Sequence, residues 1–336
     1  MMTSTTPLTE KKRRKWLVIG FCALTTSFAF SAFISPDGWS SPASFSDVLF
    51  QLRLRRVGMG VLAGMGLAGS GVVLQALLRN PLADPFIIGV SGGAALGGTF
   101  VLVLFSGAPL LFLVAGAGTG ALITTLMLAT FLVRSRRGGD PALLAGVVLN
   151  AFAASLITLA KTLLPATKAQ ALLFWLVGRI GYPSTTNLLI TAGLILTPLL
   201  ISVSRAGRLE LMAFGDDEAY RLGIDVRRER LFFFFAASLM VGVLIPQCGL
   251  IGFVGLVLPH ALRRLVDADH RLLLPLSALF GGAVVVLFDA ASRGLFFILQ
   301  TELPVGALTA LIGAPLFGWS LVVEMRGNDL KDAAKN

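Results

Sequence analysis

The chain has 336 residues, 55% of them hydrophobic and 14% charged, with a mean hydropathy of +0.83. A soluble domain carries about 25% charged residues, which excludes one apolar core inside a polar surface and describes many membrane spans in one compact domain. The net charge of +10 would raise nucleic acid as a partner of a soluble chain; in a membrane chain it is loop charge that sets orientation, with no nucleic-acid role.

Lys11, Lys12, Arg13, Arg14 and Lys15 precede an apolar stretch from Trp16 to Ile34. That stretch is longer than the about 7–15 residues of a signal-peptide core, and no small-x-small cleavage site dominates. It reads as a retained first span behind a cytoplasmic tail of residues 1–15. By the rule that about 20 apolar residues cross a bilayer, ten spans follow, at 16–34, 57–78, 86–105, 110–133, 141–164, 186–203, 231–248, 249–262, 272–292 and 304–325. The eighth is short and stands because the loops around it need a crossing. The spans make one transmembrane domain, 16–325, followed by a cytoplasmic tail of 326–336.

Charge tests this order. With the N-terminus inside, the inside loops hold 21 of the 28 Lys and Arg and the outside loops hold 7. A threefold inside excess is what the positive-inside rule requires, and a missed span would exchange the two sides for every later loop. Cys22 and Cys248 fall in or beside apolar spans and read as small apolar residues, neither a disulfide pair nor a metal site. Gly60-x-x-x-Gly64, Gly93-x-x-x-Gly97 and Gly116-x-x-x-Gly120 each put small residues on one helical face, so spans two to four are expected to pack closely.

The spans carry no mid-span Asp, Glu, Lys or Arg; Lys161, Asp289 and Glu324 are placed near span ends. Ion-coupled transporters need an ionisable or coordinating group near the midplane, so this pattern argues against an ion- or proton-coupled carrier. That class stays open as the alternative, because Asn150, Gln75, Ser155, Thr124 and Thr125 could coordinate an ion. The sequence contains no Gly-x-x-x-x-Gly-Lys-Ser/Thr phosphate loop, so ATP, if it drives transport, is handled by another subunit. His260 and His270 are the only histidines and lack companions at metal-ligand spacing. His260, beside Pro259, reads as a helix-end residue. No catalytic or metal-binding residue is assigned, and the chain is not expected to be an enzyme.

The longest inside loop, 204–230, contains Gly215-Asp216-Asp217-Glu218-Ala219 and Leu222-Gly223-Ile224-Asp225. Asp216 or Asp217 can N-cap a short helix with acids in its first turn, and Gly223 is placed to end it. A helix this short is marginal alone. It needs a partner surface, or else the loop is a solvated connection.

The first third carries the densest pattern: Arg53-Leu54-Arg55-Arg56, the glycine-stitched helix from Gly60 to Gln75, the turn Arg79-Asn80-Pro81-Leu82-Ala83-Asp84-Pro85, and Gly89-Val90-Ser91-Gly92-Gly93. With 215–225, the run from Gly249 to His260, Arg263-Arg264, and Glu302 to Pro315, it resembles the FecCD-type permeases. These are the membrane subunits of type II ABC importers for iron-siderophores, haem and cobalamin. The matches run from about residue 53 to 320 in family order.

The resemblance implies an all-α polytopic membrane protein of about ten transmembrane helices, a bundle like that of cobalamin-importer permeases, with both termini cytoplasmic. It implies a homodimer in the bacterial inner membrane, two cytoplasmic ATPase subunits that bind the ATP and Mg, and a periplasmic or lipid-anchored substrate-binding protein; this chain would hold no cofactor. By the same resemblance Gly215, Asp216, Asp217, Glu218, Ala219, Leu222 and Gly223 couple to the ATPase, and Asn80 and Leu82 belong to a cytoplasmic gate. The turn around Asn80 also has a local reading, since Asn in a Pro-bounded turn bonds its own backbone.

Arg53, Arg56 and Arg293 lie on the outside against the charge bias. They read either as snorkelling cations or, by the resemblance, as docking groups for carboxylates of the binding protein, which the planar guanidinium suits. Arg55 stands where the family often has Pro, so either Arg53 or Arg55 takes the first docking position. The implied cargo is a bulky metal chelate, ferric siderophore first and haem or cobalamin next, because a small ion would want ligands that an uncharged, glycine-lined path lacks.

Overall fold

The computed structural model of the chain describes residues 10–35, 38–39, 48–86, 88–105, 107, 109–134, 140–266 and 269–333. Residues 1–9 of the expected N-terminal tail, 135–137 of the basic inside loop and 334–336 of the C-terminal tail lie outside the described residues. The described chain folds into helices α1 (Glu10–Phe33), α2 (Val48–Leu78), α3 (Val90–Leu104), α4 (Leu110–Arg134), α5 (Asp140–Leu163), α6 (Ala166–Leu176), α7 (Thr185–Ser204), α8 (Ala206–Phe214), α9 (Asp216–Arg221), α10 (Val226–Cys248), α11 (Val254–Val266), α12 (His270–Leu299) and α13 (Val305–Ala333). A two-residue antiparallel pair, β1 (Ile34–Ser35) and β2 (Gly38–Trp39), follows α1.

Seven of these helices are long and apolar enough to cross a membrane; α3 and the 305–320 part of α13 are shorter apolar helices. Each expected span has its helix, with three corrections. The connection after α5 holds an extra helix, α6. The loop 204–230 holds two helices, α8 and α9, where one was expected. The eighth span begins late: residues 249–253 are not helical and α11 starts at Val254.

At about 1.5 Å per residue α11 rises only ~20 Å, short of the ~30 Å hydrocarbon core. Irregular backbone at membrane depth survives only where protein covers it, and the cover here is backbone itself. Leu250 N–H donates to the Leu176 carbonyl (3.3 Å) and Gly306 N–H to the Gly178 carbonyl (3.0 Å). Gly178, Gly249 and Gly306 converge so closely that a Cβ on any of them would strike a neighbouring carbonyl. The indole N–H of Trp175 adds a bond to the Pro246 carbonyl (3.3 Å). Gly178 and Gly249 have φ of +86° and +66°, which a residue with a Cβ adopts only under strain.

α2 is the most buried of the spans and α5 the least. Apolar contact between helices gains nothing over contact with lipid, so close packing and hydrogen bonds must hold the bundle. Glycine contacts supply the packing: as expected, Gly93 and Gly97 of α3 meet Gly116 and Gly120 of α4 backbone to backbone, whereas α2 packs through Gly64 on Gly281 of α12 and through Gly71 on Gly255 of α11. Polar pairs add to it, Thr125 with Ser238 between α4 and α10 and Gln247 with Thr191 (3.1 Å) between α10 and α7, each worth about 0.6 kcal/mol in a bundle.

Candidate functional site

Side-chain contacts gather the loops at two ends. One end collects the loops expected outside. Arg56, in the third turn of α2, donates through Nε to Asp289 Oδ1 of α12 (2.9 Å) and through Nη1 to the Tyr182 hydroxyl (3.0 Å) and to Glu302 (3.4 Å). Arg293, one turn after Asp289, donates to its Oδ2 (3.0 Å), to the Ser31 carbonyl (2.9 Å) and to the Ile34 carbonyl, which ties α1 to α12. Glu302 in turn accepts from Arg179 (2.6 Å). Two guanidinium groups and two carboxylates thus cancel in the interior, and Arg179 closes the cluster from solvent. Burial raises the Glu302 carboxyl, but Arg56 and Arg179 more than offset it and hold it below the usual range.

This geometry corrects two expectations. Arg56 and Arg293 are 1% and 0% exposed. They neither snorkel nor offer a donor to a partner, because their hydrogens are spent on Asp289, Glu302 and backbone carbonyls. Asp289 does not reach an interface from a span end either; it lies ten residues inside α12 and is 1% exposed. Asp289 is thus a buried charge near the outer end of its span, with both oxygens taken. Arg53, one turn before Arg56, is half-buried.

The other end collects the loops expected inside. α8 buries Ala206, Leu209 and Met212. It is pinned by Glu210, which accepts from the His270 backbone N–H (2.6 Å) and pairs with its ring at the start of α12. Burial raises Glu210, and the His270 contacts outweigh it, leaving the carboxyl below its ordinary value. Glu229 at the start of α10 pairs with Arg205 (3.4 Å) and Arg208.

α9 then projects. Gly215 (φ +154°) precedes it, and Asp216 is its first residue rather than its cap, with no side-chain cap bond at this end. Gly223 ends it as expected: its φ is +82° and Ile224 N–H reaches back to the Ala219 carbonyl (3.0 Å), a Schellman motif. Ala219 is buried and anchors the helix, while Asp217 and Glu218 are exposed. Phe214, Tyr220 and Leu222 are 61%, 76% and 58% exposed, three apolar side chains on one short acidic knuckle.

The loop expected to form the cytoplasmic gate runs from Arg79 to Gly89. Asn80 Oδ1 accepts from Leu82 N–H (2.8 Å) and its carbonyl from Ala83 N–H (3.1 Å), so the local reading of Asn80 holds. Leu82 is 40% exposed. Asp84 is 2% exposed; Oδ1 accepts from Phe86 N–H (2.7 Å), and Oδ2 lies against Gly255 with no partner among the described residues. Burial pushes its carboxyl up to about 6, moderated by the Phe86 bond. Gln75, which donates to the Gly255 carbonyl (3.2 Å), leaves its Oε1 without a partner among the described residues, beside the same contact. At its far end the loop packs onto α5, where Gly146 lies against Ile88, and Asn150 lies against Gly92.

Gly89-Val90-Ser91-Gly92-Gly93 matches the letters of a nucleophile elbow, but Ser91 sits in the first turn of α3, buried, and its hydroxyl meets no partner among the described residues. No group of three His, Cys, Asp or Glu able to hold a metal occurs among the described residues. Sequence reasoning missed Arg79, Asp84, Arg179 and Tyr182 as site residues. Arg293 four residues after Asp289 was the one legible sign of the outer cluster, since an i, i+4 pair shares a helix face.

Residues 16–323 match the FecCD transport family. The hemin transport system permease HmuU of Yersinia pestis is 36% identical over 280 residues, 82% of this chain and 83% of its own length. The vitamin B12 import system permease BtuC of Vibrio cholerae is 35% identical over 328 residues, 94% of this chain and 97% of its own. A solved structure described as an inward-facing conformation of a metal-chelate type ABC transporter superposes with a TM-score of 0.82 at 33% identity, covering 92% of this chain and 99% of the other. This chain belongs to the FecCD transport family and is an ABC-transporter permease, a multi-pass protein of the bacterial inner membrane.

Proposed function

We propose that the chain is the membrane subunit of an ATP-driven importer that moves a bulky metal chelate into the cytoplasm by alternating access. Ferric siderophore is the first cargo to test, with haem and cobalamin, the cargoes in the names of HmuU and BtuC, beside it. The carrying observation is the α9 knuckle: an acidic, partly apolar helix too short to stand alone, anchored by Ala219 and facing outward through Tyr220 and Leu222. Such a surface wants a protein partner, and a permease without a phosphate loop needs one that hydrolyses ATP.

In this reading two copies pair and each contacts one of two cytoplasmic ATPase subunits, which bind ATP and Mg. Both termini are cytoplasmic, with α8 and α9 on that side. Closure of the ATPase pair displaces residues 215–223, and the gate at Asn80 and Leu82 changes state. A substrate-binding protein docks at the opposite end. Because Arg56 and Arg293 are buried, its carboxylates meet the rim of the cluster, where Arg53 or Arg55 and Arg179, whose side chain is 59% exposed, reach the surface.

An ion-coupled carrier needs a buried group able to exchange its partner. Asp289 holds two guanidinium groups, and Asn150 is packed against Gly92. Deletion of 216–222 in the assembled complex tests the proposal. Chelate uptake should be lost while the ATPase pair still hydrolyses ATP; coupled uptake that survives the deletion refutes it.

A further inference from the structure

The residue at the end of α2 breaks a local rule. Arg79 has φ +51°; its N–H reaches the Ala76 carbonyl (3.2 Å), and the next N–H, of Asn80, reaches the Gln75 carbonyl (3.1 Å). That is a Schellman motif with Arg79 at its left-handed position, where glycine is the usual residue. A side chain with a Cβ adopts this conformation at a penalty that glycine escapes. The same chain uses glycine for the equivalent position after α9, Gly223. A strained residue kept where glycine would serve points to a need for its side chain.

The side chain joins three helix ends. Its Nε–H donates to the Met212 carbonyl (3.2 Å), one of the open carbonyls in the last turn of α8, and Nη2 pairs with Asp216, the first residue of α9. Asp216 is held from the other side by Arg230 of α10 (2.6 Å). Asn80, the next residue, begins the gate turn through its bond to Leu82. One peptide unit therefore separates the group gripping α8 and α9 from the group that shapes the gate. Charge-assisted bonds at two points fix direction as well as distance.

We propose that Arg79 is the strut that carries displacement of the α8–α9 knuckle to the gate loop. The proposal rests on the reading of 215–223 as the ATPase contact. A peripheral ion pair as exposed as this one stabilises little, so its role is positional: it keeps the last turn of α8, the first turn of α9 and the start of the gate loop in one register.

The test is Arg79→Gly in the complete complex reconstituted with its ATPase in proteoliposomes, with Arg79→Lys and Asp216→Asn beside it. Glycine relieves the backbone, so the melting temperature should stay within about 3 °C of wild type. ATP hydrolysis should persist, while chelate taken up per ATP hydrolysed should fall by about 5–150-fold, the range of a coupling between sites. Arg79→Lys, a point charge without the fork, should fall between the two. The double variant Arg79→Gly with Asp216→Asn should be no worse than either alone. Wild-type uptake per ATP in Arg79→Gly overturns the strut, as does a large loss of melting temperature, which would make Arg79 a clamp on the fold. Wild-type uptake that needs no ATP removes the importer reading and the strut with it.

Discussion

Asp289→Asn is the sharpest perturbation of the fold. The carboxylate pairs with Arg56 at 2.9 Å and Arg293 at 3.0 Å, and all three side chains are 1% exposed. Removing one partner of a buried pair costs about 3–5 kcal/mol, most of it the penalty of the charge left behind. Here two guanidinium groups lose a partner, and only Arg56 retains a second carboxylate, Glu302 at 3.4 Å. A loss at the upper end of that range, ~5 kcal/mol, corresponds to a fall of about 10–20 °C at roughly 2–4 °C per kcal/mol. Thermal unfolding of the detergent-solubilised protein, followed by tryptophan fluorescence and by the fraction recovered as a single species on gel filtration, reads this directly. The triple variant Arg56→Met, Asp289→Leu, Arg293→Met removes the charges together and should recover most of the loss, because apolar replacements of a whole buried network are often neutral. Melting of Asp289→Asn within about 2 °C of wild type would refute the reasoning, since it would mean that water already satisfies the cluster.

Three further outcomes follow from named contacts. Asp84 has its folded value raised from 3.8 to about 6, so the packed loop at Asp84 binds a proton that the hydrated carboxyl releases. Its contribution to stability should be greatest below pH ~4, decline through the interval to pH ~6 by about 3 kcal/mol, and be flat above. The stability difference between wild type and Asp84→Asn across that interval should show this slope, opposite in sign to the acid-side loss expected from Glu210 and Glu302, whose carboxyls are held below their ordinary values. Gly64→Ala places a methyl into the backbone of Gly281; α2 and α12 must separate, at a cost of about 1–3 kcal/mol or more, visible as a lower melting temperature. Arg179→Glu should weaken binding-protein docking in surface-plasmon measurements and, by setting a second carboxylate against Glu302, lower melting far less than Arg56→Glu, which should fail to fold stably; the reverse pattern would return docking to Arg56.

Much of the bundle was legible because membrane physics is written locally. Apolar length located nine of the ten expected spans, the loops required the eighth, and the glycine spacings named the surface where α3 meets α4 but not the partner of α2, which is α12. Gly223 announced the end of α9 because a helix that closes in a Schellman turn takes a left-handed residue there. The outer cluster was misread for an equally physical reason. Arg56, Arg293 and Asp289 lie near span ends, where sequence alone favours water or lipid headgroups. Their burial depends on Tyr182 and Glu302, which arrive from loops more than a hundred residues from Arg56 in sequence. Span eight was placed too early because residues 249–253 are apolar and also non-helical; the cover that permits this comes from Gly178 and Gly306. Arg79 counted only as one inside charge until its φ and its two acceptors were seen together.

The central claim is that this permease works by ATP-driven coupling to a separate ATPase. The direct measurement is uptake of a ferric siderophore, haem and cobalamin, each presented with its binding protein, into proteoliposomes holding the permease with its co-purified ATPase. The account predicts accumulation of one chelate that requires ATP inside the coupling compartment and is indifferent to a protonophore. Accumulation that proceeds without ATPase or ATP and collapses with the proton or sodium gradient would contradict it.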